Sequence, residues 1–519
     1  RNPVVAGFHP DPSMVRVGED FSLVNSSFGY FPGLPVFHSR DMVSWKQIGN
    51  AIDRPSQMKY GRDALTRGLF AATISHHDGV FYIANTCFYC DGGNYVVTAR
   101  NPAGPWSDPV WLGFGGIDPS LFFDDDGRAW MVNNDIPQGK MRYDGHRAVY
   151  LQEFDIAAQE MVGPRTVLVD AGADPASNPE HVEGPHLFKR DGWYYLTAAE
   201  GGTGEMHAQM VWRSRAVTGP FAPWKGNPSL TQRDLDPARP SPVTSAGHAQ
   251  YVELADGSWW SIFLATRPYR GNQYNLGRET FLLPVTWVDG WPRVLEQGQA
   301  IPLVLPRPAL PAQAHAVPTS GPMRWSERFH AAALPPQWMM MDPPTSAWFK
   351  TGEGGLRLQA SSTPIGAHGQ GDDNKATGPR MDAGQPSFLA HRLQHHAATL
   401  EVEVAVPTPG VLAGLAVVQS ETHHFVLGIE EGEVVLYRRA GKDDPIDGAR
   451  VAGAPLGKIN ADAPVHLRIH LDGPVAQAAW RVGADAWQPL GAAQDASVLS
   501  TDTAGGFIGA TFGPYALQR

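Results

Sequence analysis

Asp11, Asp118 and Glu183 each stand eight residues ahead of an acidic residue in a turn-forming stretch: Glu19 in VGED, Asp126 in DDDGRAW and Asp191 in KRDGWYY. Two more stretches of the same form, around Asp78 and Asp256, carry Phe70 and His248 at that spacing. One recurring slot therefore holds Asp, Phe, Asp, Glu and His. A single Asp before Pro, as in Asp11-Pro12 or Asp118-Pro119, reads well as a turn or cap residue. Three carboxylates at equivalent positions do not, because burying like charges together costs on the order of several kcal/mol unless they are hydrated or protonated. The chemistry that uses such a group without metal or phosphate apparatus is glycoside hydrolysis. One protonated acid donates to the leaving oxygen, and one carboxylate activates water or attacks the sugar. Glu183 has the longer reach and lies in the apolar stretch HVEGPHLF, so it is the expected general acid. Asp11 is then the ionised general base, and Asp118 the neighbour whose charge raises the acid's pKa.

The elements that must position these residues are hairpins. DPSMVRVGEDFSLVNSS, FAATISHHDGVFYIANT, DPSLFFDDDGRAWMVNN, EGPHLFKRDGWYYLTAA and HAQYVELADGSWWSIFL each join an apolar strand to an aromatic or Val-rich one through a turn that is usually Asp-Gly. Both residues of that pair accept positive φ at little steric cost. Five such repeats predict a five-bladed β-propeller, in which the first strand of each blade lines the central channel. The five slots would then face one pocket.

The rest of the sequence sets limits. A net charge of −11 removes the basic footprint that nucleic acid would need, and no run of 18 apolar residues is present to span a membrane. With aromatic residues at 10 % and charged ones at 18 %, the chain is too apolar to be disordered. The first residue is Arg1 rather than Met, which suggests a cleaved leader and a secreted or periplasmic protein, with the cytoplasm as the alternative. Cys87 and Cys90 in NTCFYCDGG lack the further ligands of a zinc site; they read first as loop thiols, with a local disulfide as the competitor. Six prolines between Ile301 and Pro322 mark an extended connector. The expected organisation is an all-β chain with a propeller at 1–305, a linker at 306–322 and a β-sandwich at 323–519, the last from alternating stretches such as ATLEVEVAV and HHFVLGIEEGEVVLYRR.

Long ordered blocks, among them GFHPDPSMVRVGEDFSLVNSSFGYFPGLPVFHSRDMVSW, GIDPSLFFDDDG, VEGPHLFKRDGWYYLTAAEGGTG and LGRETFLLPVTW, resemble glycoside hydrolase family 43. The match is to its β-xylosidase and α-L-arabinofuranosidase members with a C-terminal concanavalin A-like sandwich. The resemblance implies Asp11 as base, Asp118 as pKa modulator and Glu183 as acid, acting with inversion on non-reducing-end arabinofuranosyl or xylosyl groups of xylan, arabinoxylan or xyloglucan fragments. Arg278 matches the arginine that binds a sugar hydroxyl, with a structural ion pair as the alternative. Phe31 resembles the hydrophobic wall of the −1 subsite, or is a plain core residue. Phe70 stands where many relatives carry Trp in a Trp-Ala-Pro motif; here the block reads LFAATI. His248 either supports the site structurally or contacts calcium through waters; no cofactor is required for the chemistry. The sandwich of such enzymes helps close the pocket. Two other readings are a non-catalytic sugar-binding propeller and an invertase-like retaining fructosidase. The latter typically carries its acid in a Glu-Cys motif, whereas Glu183 precedes Gly184-Pro185. The sequence leaves the oligomeric state open.

Overall fold

The computed structural model describes residues 1–519 apart from 61–63, 91, 316–317, 369–383 and 458–462. Five antiparallel sheets follow one another between Ser13 and Arg293, and in each the long strands pair in chain order. Their first strands are Ser13–Val17, Gly68–His77, Ile117–Phe123, Glu183–Arg190 and Thr244–Glu253. Side chains stitch these blades into a ring. Ser13 Oγ accepts from the Ile74 N–H and donates to Gln250 Oε1, linking blade 1 to blades 2 and 5. Thr73 bonds the Pro119 carbonyl, Ser120 meets His186, and Gln209 of blade 4 accepts from the Ala249 N–H of blade 5. The N-terminal residues add a clasp, with the Val4 N–H bonded to the Thr280 carbonyl at 2.8 Å.

Between adjacent blades lie five apolar clusters. Met14, Leu23 and Trp45 meet Trp260 and Ile262 where the first blade closes on the last, for example, and Trp130 and Val132 meet Leu196 and Met210 between blades 3 and 4. The period-2 alternation of each strand sends successive side chains to opposite faces of its blade, and apolar residues on both faces pack against the neighbouring blades.

The predicted Asp-Gly turns divide into two kinds. Asp78-Gly79 and Asp191-Gly192 are two-residue loops with φ of +47°, +75°, +52° and +72°, the geometry that makes this pair favourable. Gly18-Glu19 is equally short. Around Asp126 and Asp256 the loops are wider, spanning residues 124–128 and 254–258, and the aspartate accepts a backbone N–H two residues on instead.

The C-terminal part is a sandwich of two antiparallel sheets. One is built on Thr511–Gln518, Val411–Ser420, His423–Glu430, Glu433–Ala440 and Ala449–Pro455, the other on Ala397–Val404, Val465–Asp472 and Val475–Val482. Val465, Leu467, Ile469 and Leu471 are buried at every second position, and Leu427, Ile429 and Leu436 face them from the other sheet. The sandwich packs directly on the propeller: Phe8, Phe28, Tyr30 and Leu65 share one core with Ile365, Phe388, Val426 and Tyr515. Met340–Met341 even pairs as a strand with Tyr30–Phe31 of blade 1. Of the Pro-rich connector, residues 316–317 lie outside the described residues; Gln313 accepts from Arg40, and Ser320 bonds the Pro3 carbonyl.

Cys87 and Cys90, expected first as loop thiols, are joined as a disulfide. Cys87 is the penultimate residue of the strand Val80–Phe88 and the chain then turns, bringing the two Cα atoms to 5.3 Å, within the span of such a bridge. No helix among the described residues is long and apolar enough to cross a membrane.

Candidate active site

The recurring slot exists, and its cause is a β-bulge. In blades 2 to 5 the register of the first strand slips between Leu69 and Ala72, Ile117 and Ser120, Glu183 and His186, and Gly247 and Gln250. The extra residue bends the strand and re-aims a side chain toward the axis. Asp118, Gly184 and His248 sit at the same place in their bulges with φ of +56°, +58° and +52°, and Asp11 has φ +49° before the matching Pro-Ser pair. Glu183 therefore lies one residue ahead of the slot, which Gly184 occupies. Counting eight back from Asp191 reaches Glu183 because in blade 4 the turn aspartate follows the slot by one residue fewer than in the other blades.

Gly184 is required there. A Cβ at this position would lie 2.7 Å from the His248 ring, and its N–H donates to Asp118 Oδ2 at 3.0 Å. Gly184→Ala is expected to cost about 1–3 kcal/mol from the left-handed backbone alone, with more from the clash, read as a lowered unfolding midpoint together with lost activity.

The carboxyls are brought together but held differently. Asp11 is buried, accepting Ser26 Oγ at 2.5 Å and Arg278 Nη1 at 2.7 Å. Burial alone would raise its pKa, but the Arg278 guanidinium, His248 and the Ser26 hydroxyl outweigh burial and hold it below the usual carboxylate range. Asp118 is also buried, and the Asn134 amide, oriented to satisfy both of its groups, donates to it at 3.1 Å. Burial and the charge of Asp11 push Asp118 upward against the opposing pull of His248. Half-buried Glu183 is raised furthest, to about 8, by burial first and then by the charges of Asp118 and Asp11. The pocket thus keeps one carboxylate ionised and one carboxyl protonated at neutral pH, the separation that acid–base chemistry needs.

A family profile described as "Glycosyl hydrolases family 43" matches residues 1–292, and one described as "Beta xylosidase C-terminal Concanavalin A-like domain" matches 326–519. The chain belongs to glycosyl hydrolases family 43. Family 43 relatives include "Xylosidase/arabinosidase" of Butyrivibrio fibrisolvens, 34% identical over 99% of this chain and 95% of that protein. "Non-reducing end alpha-L-arabinofuranosidase BoGH43B" of Bacteroides ovatus is 37% identical over 86% of this chain and 79% of its own. Among solved structures, the xylan beta-1,4-xylosidase of Bacillus halodurans C-125 superposes with a TM-score of 0.86 at 31% identity, over 100% of this chain and 96% of that one.

Within this family 43 pocket the remaining expectations sort by geometry. Arg278 is placed as expected beside the carboxylates; besides Asp11 it bonds the Phe507 carbonyl at 3.4 Å. Phe70 lines the wall, 5.4 Å from Phe28 and 6.0 Å from Phe507 by ring centroid. Phe31 does not. It lies in the core between blades 1 and 2, edge-on to Tyr60, while Phe28, three residues earlier, sets its ring 5.8 Å from the Arg278 guanidinium. The strand pairing of Tyr30–Phe31 with Met340–Met341 turns Phe31 inward.

Phe507 was not foreseen at all. It comes from the sandwich, its N–H bonded to Thr66 Oγ1 at 2.7 Å and its ring stacked 6.1 Å from Phe28. No local signal marks it, since its place in the wall depends on a contact between domains.

His248 is buried, close enough to Asp11 and Asp118 to favour the ionised form of both. Nearby, His186 and His207 are held neutral by burial, and His207 Nε2 is buried without a partner among the described residues. No group of three His, Cys, Asp or Glu among the described residues could ligate a metal directly. Calcium prefers many oxygen ligands, so this donor set does not fit direct ligation.

Proposed function

We propose that this family 43 hydrolase removes single α-L-arabinofuranosyl or β-D-xylosyl groups from the non-reducing ends of plant cell-wall oligosaccharides, with inversion. The observation that carries this reading is the divergence of two carboxyls in one pocket: Asp11 paired to Arg278 and held ionised, Glu183 pushed up to about 8. Glu183 gives its proton to the glycosidic oxygen as the C1–O bond breaks. Asp11 takes a proton from the water that attacks C1 from the opposite face. The cycle closes when solvent returns a proton to Glu183 and removes one from Asp11. Asp118 keeps Glu183 protonated by its charge and, through the Gly184 N–H, fixes the bulge that carries it. Arg278 holds Asp11 in its ionised state and presents its remaining N–H donors toward the sugar. The sugar classes are those in the names of the relatives, and the closed wall of Phe28, Phe70 and Phe507 suits a single terminal ring.

The test compares kcat/KM on 4-nitrophenyl β-D-xylopyranoside and α-L-arabinofuranoside, with the anomer of the first-formed product read by NMR. Hydrolysis of at least one with an inverted product is expected. A retained anomer, or no turnover of either, refutes the reading.

A pH prediction follows. Glu183 must be protonated, so activity falls as pH rises through about 8; Asp11 must be ionised, so activity falls again only at pH below the usual carboxylate range. Asp118→Asn removes a negative neighbour from Glu183 and is expected to move the alkaline limb to lower pH. An unmoved limb would show that Asp118 does not tune the acid.

A further inference from the structure

Each blade's first strand begins at the pocket, and its second strand returns there, so the loops from second to third strands encircle the pocket mouth. Exposed large apolar side chains of the propeller gather on these loops: Tyr89 (54%), Ile136 (58%), Met141 (46%) and Met206 (58%). Among the described propeller residues only Trp111 and Val304 are comparably exposed elsewhere.

Tyr89 stands out because a ladder of rings connects it to the catalytic carboxylates. Asp11 bonds Arg278, Arg278 faces Phe28, and Phe28 contacts Phe70. Phe70 stacks on Phe88 at 4.7 Å within 3° of parallel, and Phe88 meets Tyr89 edge-on at 4.5 Å. The Arg67 guanidinium lies 5.5 Å from both the Phe88 and Tyr89 centroids. Tyr89 has φ +66°, a region that bulky residues rarely adopt and that clusters at functional sites. The Cys87–Cys90 bridge closes the turn that holds it there.

We propose that Tyr89 and Phe88, with Arg67 beside them, form the subsite for the sugar ring on the leaving-group side of the scissile bond. A pyranose with equatorial hydroxyls, of xylo or gluco configuration, presents a flat face of C–H groups to an aromatic ring and its hydroxyl oxygens to a guanidinium. The inner rings of the ladder belong to the terminal sugar; Tyr89, exposed at the outer end, is left for the next one.

This inference rests on the hydrolase reading, and the experiment separates the two. Steady-state kcat/KM is measured for wild type, Tyr89→Ala and Tyr89→Phe on a xylotriose backbone carrying the cleavable group and on the corresponding glycosyl fluoride, whose leaving group has no ring. Tyr89→Ala is expected to lower the oligosaccharide-to-fluoride ratio of kcat/KM by about five- to ten-fold, the contribution of one stacked ring, and Tyr89→Phe to keep it. An unchanged ratio in Tyr89→Ala overturns the subsite while leaving the hydrolase intact. A wild type that cleaves neither substrate overturns both.

Discussion

Glu183→Gln is expected to lower kcat/KM on an oligosaccharide by about 10³-fold, within the 10²–10⁴ range of a lost general acid. The loss should shrink sharply on a 2,4-dinitrophenyl glycoside, whose leaving group needs no proton. Equal losses on both substrates would remove Glu183 from the acid's role. The same variant should also be more stable than wild type. The sign follows from linkage: burial and the charges of Asp118 and Asp11 raise the folded-state pKa of Glu183, so its favourable contribution is present below the unfolded pKa and is lost as pH rises toward about 8. Near neutral pH the native site holds a carboxyl that the unfolded chain would ionise. Gln carries no such penalty, so the unfolding midpoint should rise while activity collapses.

Asp11→Asn is expected to cost about 10³-fold on every substrate, good leaving groups included, because water must still be activated. Here stability moves the other way. Asp11 and Arg278 are both buried, and removing one partner of a buried pair costs about 3–5 kcal/mol by leaving the other charge uncompensated. Asn retains the shape and can still accept from Arg278, so the lower end of that range is expected, measured by denaturant unfolding. Turnover near the wild-type level would show that another group serves as base. The two variants together form a diagnostic pair: the acid variant is stabilised and sensitive to the leaving group, the base variant is destabilised and insensitive to it.

Much of this architecture is written in local pattern. Hairpins of Val, Phe, Tyr and Trp with Gly-containing turns specify blades because period-2 alternation and turn chemistry act over a few residues. Asp11 and Asp118 are legible because each opens an Asp-Pro-Ser triplet eight residues ahead of a turn acid, and both take the same left-handed backbone, φ +49° and +56°. Glu183 is found by a count that overshoots the slot by one residue, since bulge position depends on pairing with the second strand and not on the first strand alone. NSSFGYFPG holds two phenylalanines three residues apart, and nothing local says which one Met340–Met341 will turn inward. Phe507 was illegible for the same kind of reason at longer range: its environment is made by Thr66 and Arg278, more than two hundred residues away in sequence.

That the tip of the sandwich at Phe507 is pinned between Thr66 and Arg278 has a consequence for how the chain comes of age. The chamber is walled in part by a residue of the sandwich, so a propeller with every blade in place but its partner undocked holds an open cleft. Competence arrives only when the two halves dock, so a change that loosens their contact should be felt at the carboxyls even if it lies far from them.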